Sequence, residues 1–396
     1  MKSLPHLTSI ILLIASYQTE AYDFSGNISI ESKLFNHQPI QPTQTHNDIS
    51  FSINPEFYTS WDNDNKSITI EPFLRWDYAD NERTHFDFRE FIFYRNMGSW
   101  ELKAGLGKIF WGVTESQHLV DVVNQTDAVE GIEGEEKLGQ PMISFSMEKN
   151  WGAIDLYILP YFRKRTFTGV DGRLRPQIKI DNNNESYESS EKEKHVDYAI
   201  RYNRTLGDWD FGISHFYGTN REPEFISGLD NNGSPILTPI YYLLRQSGLD
   251  IQLVNSDWLW KLEAVHKKSN QQAYNALTFG FEYTYVGIME TNLDIGLITE
   301  YLYDSRKDQA TTPFQRDLMI GARLNFNDTQ SSEVLIGTII DIGNQERSFS
   351  LEASTRLTEN WKINLDGRIF SNNKSSSLLY NLRNDDYIQI ELQYYY

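Results

Sequence analysis

The side chains best placed to do chemistry lie in one run, residues 110–140, FWGVTESQHLVDVVNQTDAVEGIEGEEKLGQ. Seven carboxylates and a histidine crowd into it: Glu115, His118, Asp121, Asp127, Glu130, Glu133, Glu135 and Glu136. Groups of this kind can line a polar opening and sort solutes by charge. Among them sits an apolar knot, Leu119, Val120, Val122 and Val123. Loops this long without regular structure are uncommon and usually functional or disordered. A second charged feature is basic: Arg163, Lys164, Arg165, Arg173, Arg175 and Lys179. Facing the acidic run, it would set a transverse field that orients dipolar solutes. It could equally pair with phosphate groups outside the chain, or with Glu185, Glu188, Glu191 and Glu193 beside it.

Catalytic groupings are sparse. Ser214 and His215 are neighbours, so in a strand they point to opposite faces and cannot share a proton. His85 and Asp87 share a face, with Asp77 on the preceding strand; this is the best general-base candidate. It lacks an evident nucleophile or activated water, so the chain reads as a non-enzyme. Asp181, Asn182, Asn183, Asn184 and Glu185 could hold calcium weakly. They lack the glycine and closing glutamate spacing of a calcium hand, so a disordered loop is the expectation. The sequence calls for no metal site and no cofactor. The absence of cysteine removes disulfides and thiolate ligands. A net charge of −19 argues against a nucleic-acid partner.

Elements must position these groups, and the chain is built almost wholly of one kind. Lys66 to Asp77 puts Ile68, Ile70, Pro72, Leu74 and Trp76 on one face, and Thr69, Glu71, Phe73, Arg75 and Asp77 on the other. The stretches 277–286 and 386–396 alternate likewise. A period of two means strands. About eighteen such segments run from Phe24 to Tyr396, each near the ten residues that cross a bilayer at a tilt. Short connections near Trp61, Asn96, Lys149, Leu206, Asn255, Gly287, Asn327 and Glu359 alternate with mostly longer, polar ones. Tight turns at one end and long loops at the other is the layout of a transmembrane antiparallel β-barrel with 16–18 strands, its short turns periplasmic and its long loops extracellular. Trp61, Trp100, Trp151, Trp209, Trp258 and Trp361 sit beside the short turns, where an indole with an apolar body and a polar N–H settles at a lipid–water boundary. A short apolar run, Leu7 to Ala15, follows Lys2 and precedes Thr19-Glu20-Ala21. Residues 1–21 therefore read as a secretory signal peptide, leaving one barrel domain, 22–396.

The terminal strand has apolar residues at alternate positions and the aromatic Tyr396 last. It resembles the C-terminal signature of Gram-negative outer-membrane proteins, so the whole mature chain resembles the porin-like barrel class. That resemblance implies the cell outer membrane, contact with lipid and lipopolysaccharide, insertion by the barrel assembly machinery, and possible homo-oligomers. Gly107-Lys108-Ile109-Phe110-Trp111-Gly112, then Glu115-Ser116, Asn124 and Asp127, resembles a motif of a large, mostly uncharacterised proteobacterial family of such barrels. Val113 and Thr114 interrupt its usual Trp-Gly-Glu-Ser run.

Alternation then assigns the wall charges inward, among them Arg75, Arg163, Arg201, Lys261, Glu263, Glu300, Arg323 and Arg368, because a cation facing mid-membrane lipid costs about 2–4 kcal/mol. Glu90 is out of phase with this, and a bulge near it would restore the register. Barrels of 16–18 strands leave an aqueous lumen. Folding the 110–140 loop inward after the fifth strand would bury its apolar knot against the wall and turn its acids to the opening. The expected function is passive diffusion of small hydrophilic or amphipathic solutes through that constriction. The competing one is a non-conducting structural or surface-binding barrel plugged by the same loop.

Overall fold

The computed structural model describes residues 22–372, 374–375 and 377–396; the expected leader, 1–21, lies outside the described residues. The strands are β1 (Tyr22–Phe35), β2 (Asn47–Trp61), β3 (Lys66–Asp77), β4 (His85–Asn96), β5 (Trp100–Gly107), β6 (Gln140–Lys149), β7 (Gly152–Leu159), β8 (Lys179–Ile180), β9 (Ser186–Tyr187), β10 (Asp197–Leu206) and β11 (Trp209–Thr219). They continue with β12 (Glu224–Leu229), β13 (Pro235–Tyr241), β14 (Leu243–Asn255), β15 (Trp258–Lys268), β16 (Ala273–Tyr285), β17 (Asp294–Asp304), β18 (Arg316–Asn325), β19 (Glu333–Asp341), β20 (Arg347–Arg356), β21 (Trp361–Ser371) and β22 (Tyr387–Tyr395). Eighteen of them form one antiparallel sheet, each paired with the next around the ring. The ring closes where β1 pairs with β22, Ile30 opposite Leu392. Closure leaves no unpaired edge.

The connections sort as expected. Residues 62–65, 97–99, 150–151, 207–208, 256–257, 286–293, 326–332 and 357–360 turn at one end, and most connections at the other are longer, 269–272 and 342–346 being the short exceptions. The wall sorts its side chains by parity. Ile30, Leu74, Ile213, Ile320 and Ile369 are exposed outside, while Glu31, Arg75, Ser214 and Arg368, beside them in sequence, are buried inside. Trp100, Trp151, Trp209, Trp258 and Trp361 stand exposed at the turn end.

One irregularity restores the phase that Glu90 breaks. Glu71 pairs with Glu90 but Pro72 pairs with Phe88, so Arg89 is an extra residue in β4. Proline has no N–H for the ladder, and a bulge is where strands tolerate it. Beyond the bulge Phe91 points outward, half exposed, and Ile92 points inward, buried.

The remaining strands, β8, β9, β12 and β13, make a small second sheet at the loop end. Phe162, Tyr187 and Tyr241 pack there, with ring centroids 4.9 Å apart for Phe162 and Tyr241 and 5.4 Å for Tyr187 and Tyr241. The Asp181–Glu185 run, expected to be disordered, is the ordered turn between β8 and β9, and the Asp181 carboxylate is taken by Asn183 N and Asn184 Nδ2.

Candidate functional site

The segment between β5 and β6 folds into the lumen, as two lobes joined at Asn124. Asn124 Oδ1 accepts from Ile109 N at 2.8 Å, and its Nδ2 donates to Gly107 O and Leu138 O at 2.8 and 2.9 Å. One side chain thus ties the strand end before the loop to the one after it.

The first lobe, 109–123, is the apolar one. Trp111, Leu119, Val120, Val122 and Val123 are buried against Ile92, Met142, Tyr157, Leu159, Phe216 and Val265 of the wall. That half of the lumen is lined by apolar side chains, which makes burial of the knot favourable, at about 1.5–3 kcal/mol for each large side chain. The lobe's backbone finds partners on the wall. Glu263 accepts from Val113 N (2.6 Å), Thr114 N (3.0 Å), Thr114 Oγ1 (2.9 Å) and Val120 N (3.0 Å). Glu300 accepts from Glu115 N and Ser116 N at 2.8 Å and from Ser116 Oγ at 2.5 Å. Arg221 donates to Val123 O, and Gln246 Nε2 to Leu119 O and Val120 O. Asp121 does not face an opening. It accepts from Trp111 N at 2.7 Å, and burial pushes its carboxyl up to about 6.

The second lobe, 125–138, is a short hairpin closed by Asp127 N to Glu136 O and Leu138 N to Gln125 O. Its acids meet wall arginines. Asp127 pairs with Arg89 at 2.6 Å and accepts from Thr166 Oγ1 at 2.7 Å; although burial opposes its ionisation, these partners and His85 hold it below the ordinary carboxylate range. Glu130 takes Arg75 through Nε and Nη2 at 2.9 and 2.7 Å. Glu133 pairs with Arg368 at 2.9 Å. Glu135 reaches across to His118 of the first lobe at 2.9 Å. Burial opposes charging of His118, but Glu135 and Glu263 outweigh it and lift its pKa to about 10. Phe110 packs edge-on against the same imidazole. Gly112 lies under it, where a Cβ would come within 2.4 Å of Nδ1.

Of the eight side chains expected to line an opening, therefore, Asp121, Asp127 and Glu130 are turned onto protein partners. Glu133, Glu135 and Glu136 remain exposed. Glu115 and His118 are half-buried, Glu115 pairing with Arg323 at 2.6 Å. The lumen keeps a cavity along β18–β22. It is a polar cavity of about 470 Å³, reached by Glu115, Glu136, Glu333, Glu352, Asp366 and Glu391 but only by Arg323 and Lys362 as cations. Arg368, at its edge, is shared by Glu133, Glu352 and Asp366.

The basic residues do not confront the acidic hairpin as a free patch. Arg163 bonds Asp87 at 2.9 Å and Gly139 O. Lys164 pairs with Glu185, and Arg201 with Asp250 in two 2.7 Å bonds. Arg165 lies beside Gln125 and Tyr241, and its burial lowers its pKa. Arg173 is buried against Asp385 at 2.7 Å and donates to Asn384 O and His37 O. Together with Gly169 N on Asp80 and Gln44 on Gly172 O, this carries the 160–196 loop from β7 and β10 across the mouth to the loops beside β1, β3 and β22.

His85 partners neither Asp87 nor Asp77. Its Nδ1 meets Arg83 O, and its Nε2 lies 3.7 Å from both Asp127 and Glu130. These three side chains could converge on a metal ion, but both carboxylates already carry an arginine. Ser214 is buried inward and His215 points outward to Ser247.

Sequence reasoning placed Glu263 and Glu300 inward without their role as acceptors for loop amides. It missed Arg89, Arg221 and Gln246. The out-of-phase Glu90 was the available signal for Arg89.

No protein-family model and no curated protein matches this sequence. Among solved structures, one is similar over 92% of this chain and 83% of its own, with TM-score 0.54 and 10% identity. It is Wzi, an outer-membrane protein involved in group 1 capsule assembly in Escherichia coli and described as a carbohydrate-binding β-barrel. A variant of the Rh. blastica porin is similar over 95% of this chain and all of its own, with TM-score 0.45 and 10% identity. At this identity the likeness is one of fold.

Proposed function

We propose that the protein is an outer-membrane barrel that passes small hydrophilic solutes, with cations favoured, along the wall from β18 to β22. The carrying observation is the cavity left between the inward loop and that wall, where carboxylates outnumber cations. The exposed apolar outer face and the tryptophans at the turn end support a lipid surround. In a narrow, low-dielectric passage an excess of fixed negative charge concentrates cations. The reading is not an enzymatic one. Lipopolysaccharide contact, delivery by the barrel assembly machinery and self-association belong to the same proposal.

The test is the reversal potential of the purified, refolded barrel in a planar bilayer under a salt gradient. Cation preference is expected, and Glu352→Gln with Asp366→Asn should shift the potential towards zero. No current, or an anion preference that this pair leaves unchanged, would refute the reading. A second reading, a closed barrel that binds a ligand at its outer end, is favoured by the 160–196 loop lying across the mouth.

A further inference from the structure

Glu263 and Glu300 are fully buried, yet their main partners are not cations. Seven hydrogen bonds from residues 113–120 reach these two carboxylates. Among the described residues Glu300 has no ion pair, and Glu263 has only the flank of His118, 3.9 Å away. Two charges are thus kept dry, compensated largely by backbone N–H groups of a loop that must be in place for them to be stable. The dependence is mutual. Without the carboxylates, the buried amides of Thr114 and Val120 would lose their acceptors.

We infer that Glu263 and Glu300 are the positioning residues of the constriction. They are a pair of wall carboxylates that clamp the backbone of 113–120 and so set the width of the remaining passage. Because the grip is on backbone, it holds whatever side chains the loop displays towards the cavity. Only an acceptor-only group suffices. Glutamine has the same shape, but its NH₂ would face N–H donors.

The chain has no cysteine, so Gln117→Cys supplies a unique reporter on the clamped segment. In E263Q/E300Q, labelling of that thiol by a charged methanethiosulfonate is expected to quicken by at least about tenfold, the scale of one lost charge-assisted hydrogen bond. Asp317→Asn, a buried wall carboxylate bonded to the amides of Gln315 and Arg316, should leave the rate unchanged. Unchanged labelling in a folded E263Q/E300Q barrel overturns the inference. If the double variant does not fold, hydrogen exchange on the unmodified protein decides. The amides of 113–116 and 120 should exchange far more slowly than those of 131–136, and equal rates overturn the inference. The effect on passage rests on the proposed function. Conductance of E263Q/E300Q should approach that of a 113–136 deletion. Quickened labelling without a rise in conductance would sustain the clamp and refute the passage.

Discussion

At the scale of single residues, the motif around the loop is explained by what each side chain holds. Asn124 closes the neck, Asp127 seats the hairpin on Arg89, and Gly112 leaves room for His118. His118 joins the lobes through Glu135. Its folded pKa lies above that of a free imidazole, so the contribution of this contact is complete below about 6.5 and is lost as pH rises through about 10. The hairpin is therefore expected to loosen in strongly alkaline solution. Conductance recorded as pH passes about 10 should rise in the unmodified protein, and His118→Gln should remove that step while raising conductance modestly at neutral pH. Glu135 is more than half exposed, so the change at neutral pH should be small. Asp121 and Glu263 also lie near the imidazole; the comparison with His118→Gln isolates its share.

At the scale of elements, two loops occupy the lumen and its mouth, and they are held differently. The inner one is fixed by an apolar face, by wall carboxylates on its backbone and by arginines on its acids. The outer one, 160–196, spans the mouth and is pinned far from its own strands by Arg173 on Asp385. Arg173→Ala would strand a buried carboxylate, an effect of about 3–5 kcal/mol on that contact. The expected result is protease cleavage within 160–196 of the folded barrel, with an increase in conductance. If cleavage rises but conductance does not, the outer loop does not limit passage, and the second reading loses its support. The sequence announced this loop only as a basic stretch. Arg173 meets its carboxylate, Asp385, in a loop more than two hundred residues away, and no local pattern announces that pairing.

At the scale of the whole molecule, the count of strands sets the problem that the loops solve. An eighteen-strand ring is too wide to be filled by its own side chains. Here the lumen is divided, with the apolar knot packed against one side and a cavity left along β18–β22. Removing residues 113–136 should therefore raise single-channel conductance several-fold, towards that of an unobstructed barrel, with weaker ion preference. Equal conductance before and after deletion would mean that the inward loop is not the narrowest point. On the proposed reading the wall charges remain inward and paired in either case, because lipid on the outer face would exclude them.

Period-two alternation by itself marked about eighteen strands and the inward face of nearly every wall charge, because side-chain parity in a strand is local; the sorting of the connections by length added the barrel and its two ends. Alternation also signalled the bulge, since Glu90 cannot share a face with Phe86 and Phe88, while the apolar character of Leu119, Val120, Val122 and Val123, in a stretch without that period, foretold their burial. Only the tertiary structure decided which acids face water and which face arginine. Asp127 and Glu130 could read as lining until Arg89 and Arg75, from strands β4 and β3, came within bonding distance. Hydrogen bonds to Glu263 and Glu300 from a loop some 150–185 residues earlier leave no local periodicity. They exist only once the ring has closed and brought the opposite wall to the loop.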